Sequence, residues 1–163
     1  MAKEKDIKTN AMRFLETKKV SYKAYTYECD EFTDGMETVR KLGVDAEKTF
    51  KTLVARGKSE SYYVFVIPVA EELDLKKAAK TVGEKSVELI PVKDLTAVTG
   101  YVRGGCSPVG MKKQFKTVIH DSAEEYDSVY VSGGKIGLQL ELSPTELAKV
   151  INAAFESIIF RKN

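Results

Sequence analysis

The sequence predicts one mixed α+β domain built on a largely antiparallel, barrel-like sheet surrounded by helices. Three observations carry this. The 163 residues combine 43% apolar with 31% charged side chains, a balance that suits a chain with a single hydrophobic core. The β-rich runs sit at hairpin spacings. Helical patterns fall among them without the regular alternation that a parallel βαβ sheet requires, and no repeat or Ser- or Pro-rich linker divides residues 1–163.

Taken in order, Ile7, Ala11, Phe14 and Leu15 recur at helical spacing from Asp6, and the cations Lys18 and Lys19 suit the helix C-terminus. Val20 to Glu28, with Tyr22, Tyr25 and Tyr27, alternates like a strand. Met36 to Leu42 forms a short helix that Gly43 can end in a left-handed conformation, and Asp45 can cap a further turn leading to Phe50. Thr52–Ala55 and Tyr62–Val69 flank Gly57-Lys58-Ser59 as a hairpin, with Pro68 placing the second strand near an end or an edge. Asp74 caps a helix over Leu75–Val82 that Gly83 closes.

Val87–Val92 reads as a strand and Lys93–Val98 as a helix. Gly100–Gly110, with four glycines and a proline, must be a loop. Thr117–His120 and Ser128–Val131 are strand-like, and Leu138, Leu140 and Leu142 alternate with Gln139 and Glu141 as in a half-buried strand. Ser143-Pro144-Thr145-Glu146 joins a serine cap, a first-turn proline and a returning glutamate, and predicts a closing helix to about Ile159.

The charged start Met1–Thr9 and the want of any apolar run near the ~20 residues of a membrane span predict a cytosolic protein with no membrane partner. Basic and acidic residues nearly cancel at 26 against 24, so net charge does not point to DNA. Lysines nevertheless gather at Lys3, Lys5 and Lys8, at Lys76, Lys77 and Lys80, and at Lys112, Lys113 and Lys116. Each group is either a solvated face or part of a phosphate-facing surface. Cys29 and Cys106 form no CxxC pair, and His120 is the single histidine, so neither a structural zinc site nor any other metal or cofactor is expected.

Three features could carry chemistry. The loops Gly100–Gly110 and Ser132-Gly133-Gly134-Lys135-Ile136-Gly137 match no nucleotide-binding spacing, but adjacent glycines let main-chain N–H groups converge on an oxygen. Lys51 is a charge at the start of an apolar strand, and if it faces inward it calls for a partner such as a substrate carbonyl. Cys106 invites a reading as a nucleophile, but His120 lies in the apolar Val118-Ile119 run, a setting that favours a structural histidine over a catalytic base.

These motifs together, Phe50-Lys51-Thr52-Leu53, Gly100 to Lys113 and Tyr130 to Gly137, resemble the YbaK family of Cys-tRNA(Pro) deacylases, with Leu73–Ala79 and Tyr25–Glu28 matching in the same order. The resemblance implies a domain related to the editing domain of prolyl-tRNA synthetase, acting in trans beside the synthetase on Cys-tRNA(Pro). It implies that the substrate's own thiol attacks its ester carbonyl. Lys51 is then the essential catalytic residue. Gly104, Gly105 and Ser107 of the first loop and Ser132, Gly133 and Gly134 of the second are implied substrate contacts, with Tyr27, Thr52 and Phe32. Gln139 departs from the family, whose near members have an aspartate there. Two rival readings stay open: a deacylase that uses water to clear another small amino acid such as alanine, and a non-catalytic tRNA- or synthetase-binding module.

Overall fold

A computed structural model of the chain describes residues 8–28 and 34–161; the readings made for Lys3, Lys5, Ile7, Cys29 and Phe32 lie outside them. Helix α1 spans Asn10–Thr17 and opens at Thr9, whose hydroxyl accepts the Met12 N–H at 3.1 Å. It buries Ala11 and Leu15. Strand β1 is Lys23–Thr26, and helix α2, Gly35–Leu42, starts at the Asp34 cap and ends at Gly43 with φ 69°. Asp45 precedes a single 3-10 turn, Ala46–Lys48, without capping it by its side chain.

The hairpin forms as the sequence predicts, with β2 over Phe50–Gly57 and β3 over Tyr62–Pro68. Pro68 is the last residue of β3 rather than part of an edge strand, because β3 lies between β2 and β5. Helix α3, Leu75–Val82, is bounded as its caps dictate: Asp74 accepts the N–H groups of Lys76 and Lys77 at 3.0 Å each, and Gly83 takes φ 74°. Such a cap contributes about 1 kcal/mol. Then follow β4 (Val87–Leu89), α4 (Val92–Thr99), the glycine loop, β5 (Lys116–His120), a 3-10 turn (Asp121–Glu125), β6 (Val129–Ser132), β7 (Leu138–Leu142), α5 (Pro144–Ile151) and β8 (Ala154–Glu156).

The strands make two sheets, β1-β7-β6 and β4-β2-β3-β5-β8. Pairing is antiparallel except where β5 joins β3 and β8. The sheets do not close into a barrel. A single parallel bridge, Thr49 to Tyr130, links the start of β2 to β6. Parallel pairing suits β5, where every residue but Lys116 is buried, since such strands are covered on both faces.

The closing helix stops at Ile151 rather than near Ile159. Asn152 takes a left-handed conformation, φ 54°, and the chain turns into β8, which pairs with Val118, Ile119 and His120. Ile158 and Ile159, expected on a helix, are buried beside α3. Strand β3 has core on both faces, with Val64 and Val66 in the larger cluster and Phe65 and Ile67 in the cluster under α3, all fully buried. Among the described residues no helix is long and apolar enough to cross a membrane.

Candidate active site

A cavity of about 550 Å³ opens where β2 passes from one sheet to the other. The register explains its position. Strand β4 covers only Ala55–Gly57 of β2, and the bridge to β6 lies at Thr49. Between these pairings the outer edge of β2 is open, and Phe50 to Val54 line the cavity. The Val54 carbonyl accepts the Ile90 N–H at 3.0 Å on this edge. Thr52, two residues earlier, therefore turns its main-chain N–H and carbonyl the same way.

Lys51 lies opposite Ile67, and Thr52 opposite Val66. Both residues line the cavity, which runs along the open strand edge. Burial makes the Lys51 ammonium harder to keep charged and draws its pKa below the ordinary lysine value, while Glu72, Asp34 and Glu71 pull in the opposite direction. Desolvation wins, as it does for a cation taken from water.

The two glycine loops meet at the same place. Gly104 and Ser132 line the cavity with Lys51 and Thr52. Gly104 has φ 86°, a conformation that glycine takes without strain. Gly105 packs on the other loop so closely that a Cβ there would stand 2.8 Å from the Lys135 Cα. Gly105→Ala must therefore separate the loops, and a drop in deacylation of about 100-fold is expected in single-turnover assays, by analogy with ~1 Å misplacements elsewhere. Activity at the level of the unmodified protein would show that the loop contact is dispensable.

Other residues expected at the site stand behind its wall. Ser107 is fully buried, and its Oγ accepts the Val109 N–H at 3.3 Å. Gly133 gives its carbonyl to the Thr9 hydroxyl at 2.6 Å, and the Gly134 N–H donates to Ser132 Oγ at 3.2 Å. The Tyr27 hydroxyl lies 3.2 Å from Oγ1 of Thr38, a cavity residue. None of the clustered lysines that the structure describes lines the cavity.

Cys106 and His120 do not form a nucleophile and base. Cys106 does line the cavity, but burial pushes its thiol up to about 11, which leaves little thiolate near neutrality. His120 is away from the cavity and 1% exposed; its Nδ1 accepts the Ile158 N–H at 3.2 Å, and burial lowers its pKa. It holds β5 to the chain after β8. Cys106→Ser is accordingly expected to retain deacylation within about twofold, since the swap is small and the thiol is protonated; loss of turnover in a folded variant would return Cys106 to the chemistry.

Sequence reasoning missed part of the wall. Leu89, Ile90, Val92 and Leu95 form an apolar side, which the sequence shows only as an ordinary strand and helix. Gln139 alternates with the leucines of a half-buried strand, yet it is itself only 6% exposed and lines the cavity. Its Oε1 and the Thr52 Oγ1 are two of three buried side-chain atoms without a hydrogen-bond partner among the described residues; Ser122 Oγ is the third.

Comparison with known proteins places this cavity in context. The family model of the aminoacyl-tRNA editing domain matches residues 32–150. The chain belongs to the aminoacyl-tRNA editing domain family. A curated Enterococcus faecalis protein, provisionally named Cys-tRNA(Pro)/Cys-tRNA(Cys) deacylase EbsC, is 48% identical over 160 residues, covering 97% of this chain and 98% of its own. Two solved structures share the fold at 23% identity and TM-score 0.83. One, described as a trans-editing enzyme for prolyl-tRNA synthetase, is matched over 93% of this chain and 96% of that one. The other, a scaffold for computationally grafted epitopes, is matched over 96% and 100%. The editing-domain match covers both glycine loops, Lys51 and Gln139.

Proposed function

We propose that the protein is a trans-editing aminoacyl-tRNA deacylase that removes cysteine from tRNA(Pro), and from tRNA(Cys) where that is accessible, in the cytosol and in company with prolyl-tRNA synthetase. One observation supports the reading: Lys51 lines a cavity together with Gly104 and Ser132 of the two glycine loops, while burial raises the pKa of the cavity's own thiol, Cys106, to about 11. The site supplies a positive charge but no activated thiol of its own, so the nucleophile comes from elsewhere. The 48% identical relative carries a cysteinyl-tRNA deacylase name, and cysteine brings a sulfur with it.

The step balances without a cofactor. The cysteinyl sulfur forms a bond to its own ester carbonyl carbon, the C–O bond to the terminal ribose breaks, and the thiol proton ends on the departing hydroxyl. Water later opens the cyclic thioester to free cysteine. Lys51 stabilises the oxyanion, a role that gains strength in a water-poor site; the N–H groups of Gly105, Gly133 and Gly134 are already given to the Val102 and Leu138 carbonyls and to Ser132 Oγ, so these glycines shape the site rather than donate to it. Editing is needed because a synthetase selecting by size gains only about 1–3 kcal/mol between similar side chains.

The test is a deacylation panel with Cys-tRNA(Pro), Cys-tRNA(Cys) and Ala-tRNA(Pro). Rapid release of cysteine with slow release of alanine is expected. Preferential release of alanine would transfer the protein to water-dependent editing, and no release from any of them would make it a binding module.

A further inference from the structure

The cavity contains a second polar element besides Lys51. Gln139 is buried on β7, register partner of Ser132, and Thr52 lies on β2, whose start is bridged to β6. The topology thus brings an amide and a hydroxyl to one cavity wall. Gln139 Oε1 and Thr52 Oγ1 are both buried and lack hydrogen-bond partners among the described residues. A buried polar atom left unpaired costs about 1–3 kcal/mol; Ser122 Oγ lies away from the cavity, but the other two belong to residues of one cavity lining, which points to a ligand that completes them.

The ligand must then present donors. In an aminoacyl ester the ester oxygens are acceptors, and the α-amino group is the donor-rich centre next to the reacting carbonyl. Lys51 is a cation and repels an ammonium, so the two poles of the cavity divide the substrate. On the proposed deacylase reading, we infer that Gln139 and Thr52 receive the substrate's α-amino group, Gln139 through its amide oxygen and Thr52 through its hydroxyl oxygen. Lys51 is left to the carbonyl oxygen. A glutamine amide can turn its oxygen to the donor.

Asp34 is the rival acceptor, since it also lines the cavity. It is exposed, however, and its Oδ1 already accepts the Glu37 N–H at 2.9 Å as the cap of α2. It needs no ligand. Gln139 and Thr52 do.

The consequence is selectivity for a free amine. A blocked amine, as in an aminoacyl ester whose nitrogen is acylated, loses donors and adds bulk at the buried wall. The protein therefore discriminates against peptidyl-like esters by chemistry at Gln139 and Thr52 and not by size of the side chain alone.

The experiment compares single-turnover deacylation of Cys-tRNA(Pro) and N-acetyl-Cys-tRNA(Pro) by the full chain and by its Gln139→Leu, Thr52→Val and Asp34→Asn variants, each checked for folding by thermal unfolding. The unmodified chain is expected to prefer the free amine by about tenfold or more, the scale of a hydrogen bond to a charged group. Gln139→Leu should slow the free-amine substrate by about tenfold and leave the acetylated one nearly unchanged, so that the preference collapses; Thr52→Val should do the same in part. A merely structural role would slow both substrates equally, and that result overturns the assignment. Preference retained in both folded variants, or lost only in Asp34→Asn, overturns it as well. Should one variant fail to fold, the other still decides. If the unmodified chain deacylates neither substrate, the deacylase reading itself fails and takes the inference with it.

Discussion

Replacing Lys51 with methionine is expected to reduce deacylation of Cys-tRNA(Pro) by about 10²- to 10³-fold, the range found when one oxyanion-stabilising donor is removed. The protein should stay folded. Methionine matches the unbranched apolar stem of lysine and lacks the ammonium. Stability is expected to hold or rise, and the sign follows from the pKa. The folded-state value of Lys51 lies below the unfolded one because burial disfavours the charge. A base shifted in that direction binds its proton less tightly when folded, so its charge subtracts stability at neutral pH, and the deficit ends only above the ordinary lysine range. A folded Lys51→Met variant with normal turnover in a single-turnover assay would remove the ammonium from the mechanism.

That opposition between stability and charge was partly visible in the sequence. Lys51 stood out because it interrupts an apolar strand, and such a residue is either exposed or functional. The hairpin, α2, α3 and the start of α5 were legible because their signals are local: Asp74 and Ser143 each accept a hydrogen bond from the first helical turn, and Gly43 and Gly83 end α2 and α3; the Asp34 cap of α2 went unread. What failed depended on tertiary contacts. The end of α5 was misjudged because β8 owes its existence to pairing with β5, a partner more than thirty residues away. The two sheets were expected to close because alternation shows which strands pair and not where pairing stops. Alternation marks Gln139 only as a polar residue of a half-buried strand, and it does not show that both faces of β7 are covered there, with Gln139 in a cavity wall. The apolar side at Leu89 to Leu95 had no signal of its own, since the same residues would serve equally in a core.

Changing the substrate from a cysteinyl to a serinyl ester on the same tRNA is expected to reduce the rate by at least about 100-fold, because one atom decides whether the nucleophile is available. Serine matches cysteine closely in shape, so binding is nearly preserved. Its hydroxyl is essentially un-ionised at neutral pH, whereas a thiol with a pKa of about 8.5 supplies a few per cent of reactive thiolate at pH 7. The pH profile of cysteine release adds an independent check. The rate should climb as the substrate thiol ionises and fall again as Lys51 loses its proton, and because burial lowers the Lys51 pKa the falling limb should begin below the ordinary lysine value. In Lys51→Met the falling limb should vanish and the rising limb remain. Cys106 cannot imitate the rising limb near neutrality, since its thiol sits at about 11. A serinyl ester cleaved as fast as the cysteinyl one, with a flat profile between pH 6 and 9, would mean that water and not the substrate's sulfur attacks the carbonyl.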